Sequence, residues 1–403
     1  MLTFLIENRR WLGTGILLSF SSSFGQTWFI SLFAAPIKAE YGLTDGVWGS
    51  LYTVATLASA TLLLSRGSLA DTMRLSRLGV ATALLLAAAA LTLSLGGGIV
   101  LLGLSIFLLR FTGQGMFSHI SVTAMGRWFV ATRGRAVSIA GLGLSLGEVL
   151  LPLPVVLLIG WIGWRASWGM VAVALAFVIA PTLFLLLVRD RAPAGYSAGG
   201  GSTGLADRHW RRGEVWRHWL FPALVPLLLT HGFIGTVVFF HQAHVAAVKG
   251  WSLAAMAPGL SVYSVISVAT ALAAGWAVDR FGPHRLLPIL TLPMGVGMLM
   301  IGPADHVATW IVALGFLGVT SGIANALWGA LLPGVYGTNH LGSIRAVATA
   351  IMVLSTAIGP GITGILIDRG IAFPQQGLAM AIWCFALGGY GLWITRRLTS
   401  ELN

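Results

Sequence analysis

The sequence predicts an all-α membrane protein of twelve spanning helices arranged as two six-helix halves. Three observations carry that prediction. Of 403 residues, 57% are hydrophobic and only 9% charged, with a mean hydropathy of +0.87. A soluble domain carries roughly a quarter charged residues, so this chain cannot coat a water-soluble globule. Apolar runs long enough to cross a bilayer, about 20 residues each, recur twelve times. Landmarks in the first six runs then return in the last six at a nearly constant spacing.

The runs lie near 11–36, 48–65, 77–95, 99–121, 136–158 and 166–188, then 219–245, 254–276, 284–303, 307–331, 343–367 and 376–395. None alternates with the period of two expected of a β-barrel strand. A helix satisfies its own backbone in hydrocarbon, so helices are the expected spanning element. The first run follows MLTFLIENRR and is too long for the core of a signal peptide, so it is expected to be the first span. Between the sixth and seventh runs lies 189–218, Gly/Ser-rich at its centre and basic at both ends. That composition predicts a flexible linker between domains 1–188 and 219–403.

The repeat supports the division. Asp71 and Asp279 are 208 residues apart, as are Gly42 and Gly250. Arg135 and Arg345 are 210 apart in the related stretches TRGRAVSIAG and HLGSIRAVATA. A duplicated six-helix unit accounts for all three spacings.

The net charge is +12. With the N-terminus placed in the cytoplasm, nineteen Lys and Arg fall on the cytoplasmic side and four on the other, with Arg110 inside a helix. That asymmetry predicts cytoplasmic N- and C-termini in a bacterial inner membrane. It explains the positive charge without nucleic acid. The lone Cys384 permits no internal disulfide. No phosphate-binding G-x-x-x-x-G-K-[ST] and no H-E-x-x-H occurs. No enzyme activity, cofactor or metal is expected.

The stretch RGSLADTMRLSRLG, between the second and third runs, holds Gly67, Leu69, Ala70, Asp71, Arg74 and Arg77. Its counterpart GWAVDRFGPHR holds Gly275, Asp279, Arg280, Gly282 and Arg285. The fourth run carries R-x-x-G-x-G as Arg110, Gly113 and Gly115. Together these resemble the loop and helix-4 signatures of the major facilitator superfamily over nearly the whole chain. The first copy departs from the G-x-L-A-D-R-x-G-R-R loop pattern at Thr72, where arginine is usual, and at Leu75, near the usual glycine. The resemblance implies the major facilitator fold, with two bundles around a cavity lined by helices 1, 4, 7 and 10. It implies secondary active transport of a small solute by alternating access, by a monomer. It also implies a conformational latch formed by Gly67, Asp71, Arg74, Arg77, Arg135, Gly275, Asp279, Arg280, Gly282, Arg285 and Arg345. A purely topological charge cluster is the alternative.

An ionisable group in the bilayer core costs several kcal/mol and is by default a functional candidate. Arg110 and Glu148 are both expected near mid-depth on adjacent antiparallel helices. Either Arg110 binds an anionic substrate while Glu148 takes a coupling proton, or the two form a permanent ion pair. His231 is expected at mid-depth of the seventh run, with His241, Gln242 and His244 towards its outer end. Substrate or gate contact, structural hydrogen bonding and a metal site are the open readings there. Gln26, Gln114, His119 and Asn325 are further polar candidates, set against ordinary interhelical hydrogen bonds. Trp28 and Trp328 are candidates for stacking.

Among subfamilies, the stretches LLPGVYGTNHLGSIRAVATA and RWFVATRGRAVSIAGLGLSLG look most like bacterial carriers related to monocarboxylate and oxalate/formate transporters. That resemblance implies an organic anion, and Arg110 suits a carboxylate. Proton-driven efflux of amphipathic compounds is the alternative; helix 5 reads GLSLGEVLLPLP, without the Gly-Pro usual in drug antiporters. A non-transporting assembly factor or sensor is a third reading.

Overall fold

In a computed structural model, the described residues are 2–66, 69–129, 132–187, 204–205, 208–337 and 340–402. Among them no β-strand occurs. The chain divides into two compact units, Met1–Ala198 and Gly199–Asn403.

In the first unit, α1 is a bent pair, Arg9–Ser31 and Ala34–Tyr41, turning by 61°. α2 is Asp45–Arg66, α3 Leu75–Leu95 and α4 Ile99–Trp128. Pro152–Leu187 passes as one helix of 36 residues. At 1.5 Å per residue that is about 54 Å, far beyond a hydrocarbon core of about 30 Å. Gly163, at φ 82° and ψ 163°, breaks it. α5 is therefore Arg133–Leu150 continued past a break at Leu151 by 152–162, and α6 is 164–187. In the second unit, α7 is Leu220–Phe240 and α8 Leu253–Phe281. α9 is Pro283–Ile301, α10 Val307–Tyr336, α11 Leu341–Asp368 and α12 Phe373–Leu402.

The repeat visible in the sequence is also a repeat of elements. α2 and α8 start at Asp45 and Leu253, α3 and α9 at Leu75 and Pro283. α4 and α10 start at Ile99 and Val307, α5 and α11 at Arg133 and Leu341. Every pair is 208 apart. Gly42 and Gly250 both hold left-handed turns, φ 62° and 68°, which a side chain would strain.

Large apolar side chains are left bare along many spans, including Leu64, Leu95, Trp161, Phe177 and Leu272. Water would reject such surface and lipid accepts it.

Three expectations need correction. The first run is not one continuous helix: α1 is interrupted at Ser22–Gln26 and bent before Ala34. The fifth run breaks at Leu151, since Pro152 lacks the N–H that would continue the ladder. The 189–218 stretch is not flexible throughout. Its end is folded against the second unit, and residues 188–203 lie outside the described ones. The Trp210 N–H donates to the Tyr336 carbonyl at 3.0 Å, and its indole N–H donates to Leu205. His218 packs at a tilt against Trp210 and hydrogen-bonds the Tyr336 hydroxyl through Nδ1 at 3.2 Å. The Trp219 indole N–H donates to Glu401 at 2.7 Å. Aromatic residues in a polar stretch give it apolar area to bury, which a Gly/Ser reading overlooks.

Candidate functional site

The first unit contains a polar centre where α1, α2 and α4 meet. α1 runs as α-helix to Ser21, tightens to a 3₁₀ turn over Ser22–Gly25, and becomes extended at Gln26, φ −76° and ψ 152°. A new helical turn begins at Thr27. α4 is irregular at the same level: Arg110–Phe117 is π-helical. Such bulges are rare and cluster at functional sites. The two irregular segments touch backbone to backbone. A Cβ on Gly113 would lie 2.6 Å from the Gly25 Cα, and one on Gly25 would collide with the Leu109 carbonyl.

Arg110 lies eleven residues into α4, about 16 Å along the axis. It is 1% exposed and is the only Arg, Lys, Asp or Glu among the fully buried described residues. Its Nη1 donates to the Gly25 carbonyl at 3.1 Å and lies 3.4 Å from Thr27 Oγ1. The helix break leaves that carbonyl without a helical partner. The guanidinium carbon stands 5.1 Å from the centroid of the Tyr52 ring, within cation–π range. The Tyr52 hydroxyl is 2.6 Å from Thr27 Oγ1. Arg110 Nε is buried and donates no hydrogen bond among the described residues.

Among the described residues Arg110 forms no ion pair with Glu148; its contacts are a backbone carbonyl, a hydroxyl and an aromatic ring. Glu148 is half-buried on α5. Its neighbour Gly147 is pressed against Ser23, in the interrupted turn of α1. Gln26 and Gln114 are half-buried on the same two irregular segments, and His119 is half-buried further along α4. Trp28 is buried edge-on to Phe29.

In the second unit the candidates do not gather around one centre. His231 is half-buried on α7, with Nδ1 shielded and without a hydrogen-bond partner among the described residues. His241 is 1% exposed and pairs through Nε2 with Thr363 Oγ1 at 2.7 Å. Thr363 in turn donates to the Gly359 carbonyl. Gln376 Nε2 donates to the Thr363 and Ile371 carbonyls, so His241 belongs to a packed polar network of α7, α11 and α12. Gln242 is buried, His244 half-buried and Asn325 exposed on α10. The Trp328 indole N–H is buried with no acceptor among the described residues. Among the described residues no three His, Cys, Asp or Glu side chains gather to hold a metal.

The sequence from residue 15 to 260 and from 243 to 401 matches the model of the Major Facilitator Superfamily. The chain belongs to that superfamily. The facilitator fold is also that of solved structures. A bacterial homolog of the human lysosomal transporter Spinster, inward-facing and unoccupied, superposes with a TM-score of 0.73 at 16% identity over 97% of both chains. A point mutant of the nucleoside transporter NupG gives 0.65 at 11% identity over 98% of this chain and 100% of that one. Among curated proteins, the Multidrug resistance protein B homologs of two Mycobacterium tuberculosis strains, CDC 1551 / Oshkosh and ATCC 25618 / H37Rv, are 30% identical over 132 residues. That is 33% of this chain, which spans 24% of those relatives' length.

The loop signatures of this facilitator are only partly visible. Gly67 and the Asp71 side chain lie outside the described residues. Arg74 and Arg77 are exposed at the start of α3, and Arg135 is exposed 5.4 Å from the Phe4 ring. Gly275 is half-buried in α8, and Gly282, at φ 84°, closes that helix. Asp279 and Arg285 are exposed; Arg280 lies over Trp276 and Phe281, and Asp279 makes no ion pair among the described residues. Arginines do cap helix carbonyls. Arg10 donates to Leu185 and Leu186 at the end of α6, and Arg127 donates to Ala70. Arg345 donates at 2.9 Å to Gly329, the carbonyl that Pro333 leaves without an N–H one turn on.

Sequence reading missed Tyr52, Thr27 and Gly25. A signal existed: a buried cation needs compensation, and Tyr52 is a hydrogen-bonding aromatic placed inside a spanning run.

Proposed function

We propose that this facilitator is a secondary transporter of a small organic anion, a monocarboxylate by preference, coupled to protons. Arg110 carries the reading. Guanidinium stays charged in proteins, and Arg110 has no carboxylate partner among the described residues, so an anionic substrate would answer its charge. The resemblance to monocarboxylate and oxalate/formate carriers supports the same class. Glu148, on α5 beside its close packing with α1, is assigned the coupling proton. The loop residues Asp71, Arg74, Arg77, Arg135, Asp279, Arg280, Arg285 and Arg345, with Gly67, Gly275 and Gly282, are assigned the latch of alternating access. The expected setting is a bacterial inner membrane with cytoplasmic termini.

Proteoliposome uptake of labelled monocarboxylates, with and without an imposed pH gradient, tests this. Wild type is expected to concentrate at least one of them, and Glu148→Gln to equilibrate it without concentrating it. Removing one partner of a buried charge contact costs about 2–5 kcal/mol, so Arg110→Ala should lose about thirtyfold or more of the uptake. Normal, gradient-driven uptake by either variant rejects its assigned role. The alternative, efflux of amphipathic compounds, draws support from the 132-residue likeness to Multidrug resistance protein B homologs. An apolar groove of about 540 Å³ in the second unit, lined by Pro226, Phe233, Ile358, Met380 and Trp383 among others, adds to it. Gradient-driven extrusion of a lipophilic dye by the Arg110→Ala protein would favour that alternative.

A further inference from the structure

A guanidinium offers two kinds of surface. Its faces stack on aromatic rings, and its edges donate hydrogen bonds in the plane. In Arg110 these are used unequally. The Arg110 Cζ lies over the Tyr52 ring, 5.1 Å from its centroid, and Nη1 is taken up by Gly25 and Thr27. On the remaining edge, that of Nε and Nη2, Nε is fully shielded and has no hydrogen-bond partner among the described residues. That edge is the side-on fork that matches the two oxygens of a carboxylate. Tyr52 is itself fixed, 0% exposed, with its hydroxyl bonded to Thr27 Oγ1 at 2.6 Å.

We infer that Tyr52 is a positioning residue: its ring holds the Arg110 plane so that the Nε–Nη2 edge is preset to receive one planar carboxylate. This rests on the anion reading above and narrows it. A ring compensates the buried cation without neutralising it, so the positive charge is retained for an incoming anion. An acidic residue at the same place would compete with the substrate. Because no second Lys or Arg is fully buried among the described residues, the site suits one negative charge rather than two. The Tyr52–Thr27 bond ties the ring to the interrupted turn of α1, which presents the Gly25 carbonyl.

The test uses purified full-length protein and sodium formate, lactate and benzoate, each against sodium chloride of equal ionic strength. Ligand-dependent thermal stabilisation gives Kd, and proteoliposome counterflow gives KM and kcat. Tyr52→Met, which removes the ring and keeps the bulk, is expected to raise Kd and KM about tenfold, about 1.4 kcal/mol, with kcat retained. Tyr52→Phe keeps the ring and should stay within about threefold of wild type. Arg110→Lys keeps the charge but loses the fork, and should not restore binding lost in Arg110→Ala. Wild-type affinity in Tyr52→Met overturns the inference while leaving the Arg110 reading intact. Equal weakening in Tyr52→Met and Tyr52→Phe also overturns it, since the hydroxyl and not the ring would then be at work. If no monocarboxylate stabilises wild type and Arg110→Ala transports normally, the anion reading falls and this inference with it.

Discussion

α1 and α4 of the first unit are irregular without containing a proline between Arg9 and Ser31 or between Ile99 and Trp128. α7 and α10 of the second unit contain Pro226 and Pro333, yet run as continuous helices of 21 and 30 residues. The pairs occupy matching places in the repeat. Irregularity therefore follows from what the helices hold rather than from helix-breaking residues. In the first unit the Gly25–Gly113 approach and the buried Arg110 draw the backbone out of helical register. At the matching place α10 carries Gly318, where a Cβ would come as close, 2.5 Å, to the Tyr263 carbonyl oxygen, yet the helix stays regular; what α10 lacks there is the charge. Where α10 does lose a backbone bond, at Pro333, Arg345 supplies the missing donor from α11. One unit spends an arginine on a distorted interior, and the other spends one on repairing a helix.

The sharpest way to break this comparison is to fill the Gly25–Gly113 contact. Gly113→Ala puts a methyl 2.6 Å from the Gly25 backbone, which cannot yield as a side-chain tip would. The expected cost is about 3 kcal/mol or more, read as lost monodisperse yield and a lower Tm in detergent. Gly329→Ala on α10 meets nothing within 4 Å and should gain about 0.5–1 kcal/mol of helix propensity. Similar Tm changes in the two variants would mean that the Gly25–Gly113 contact leaves room for a side chain.

The repair in the second unit can be isolated by a double-mutant cycle. Arg345→Ala leaves the Gly329 carbonyl unmet and should cost about 1–2 kcal/mol. In a Pro333→Ala background the helix supplies its own N–H, so the same change should cost visibly less. An unchanged cost in both backgrounds would mean that Arg345 stabilises the unit by other contacts.

A smaller effect concerns the strap folded on the second unit. His218 lies 3.9 Å from Glu401 and beside Trp210, Trp219 and Tyr336. Burial holds its pKa below the ordinary 6.5; Glu401 pulls it up, and Arg208 and Arg397 push it down. The folded state therefore resists protonation more than the unfolded chain does. Stability is whole above about pH 6.5 and declines as the pH falls below it, by less than about 1.4 kcal/mol per unit. His218→Gln should flatten the Tm profile between about pH 5 and 7, whereas an identical slope would place the acid sensitivity elsewhere.

Much of the fold was legible because lipid imposes a simple code. Twelve apolar runs, Arg-rich loops and the 208-residue recurrence follow from solvation and duplication, and the element starts repeat them. Breaks inside spans were less legible. Pro152 signals one, but nothing local in SSSFGQ announces a 3₁₀ turn, which depends on the glycine of another helix. For the candidate site, Arg110 stood out as a charge in hydrocarbon. Its partners did not. Depth alone suggested Glu148, whereas the rotation of the helices gives Arg110 to Tyr52, Thr27 and the Gly25 carbonyl. For His241 the sequence left gate contact, structural hydrogen bonding and a metal open, and the bond to Thr363 in packed surroundings agrees with the second.

Monocarboxylate counterflow in proteoliposomes, comparing wild type with Arg110→Ala at matched reconstitution, tests the central claim most directly. The account predicts exchange of at least one monocarboxylate by wild type and a loss of about thirtyfold or more in the variant. Wild-type exchange without the guanidinium would contradict it and reduce Arg110 to a cap on a broken helix.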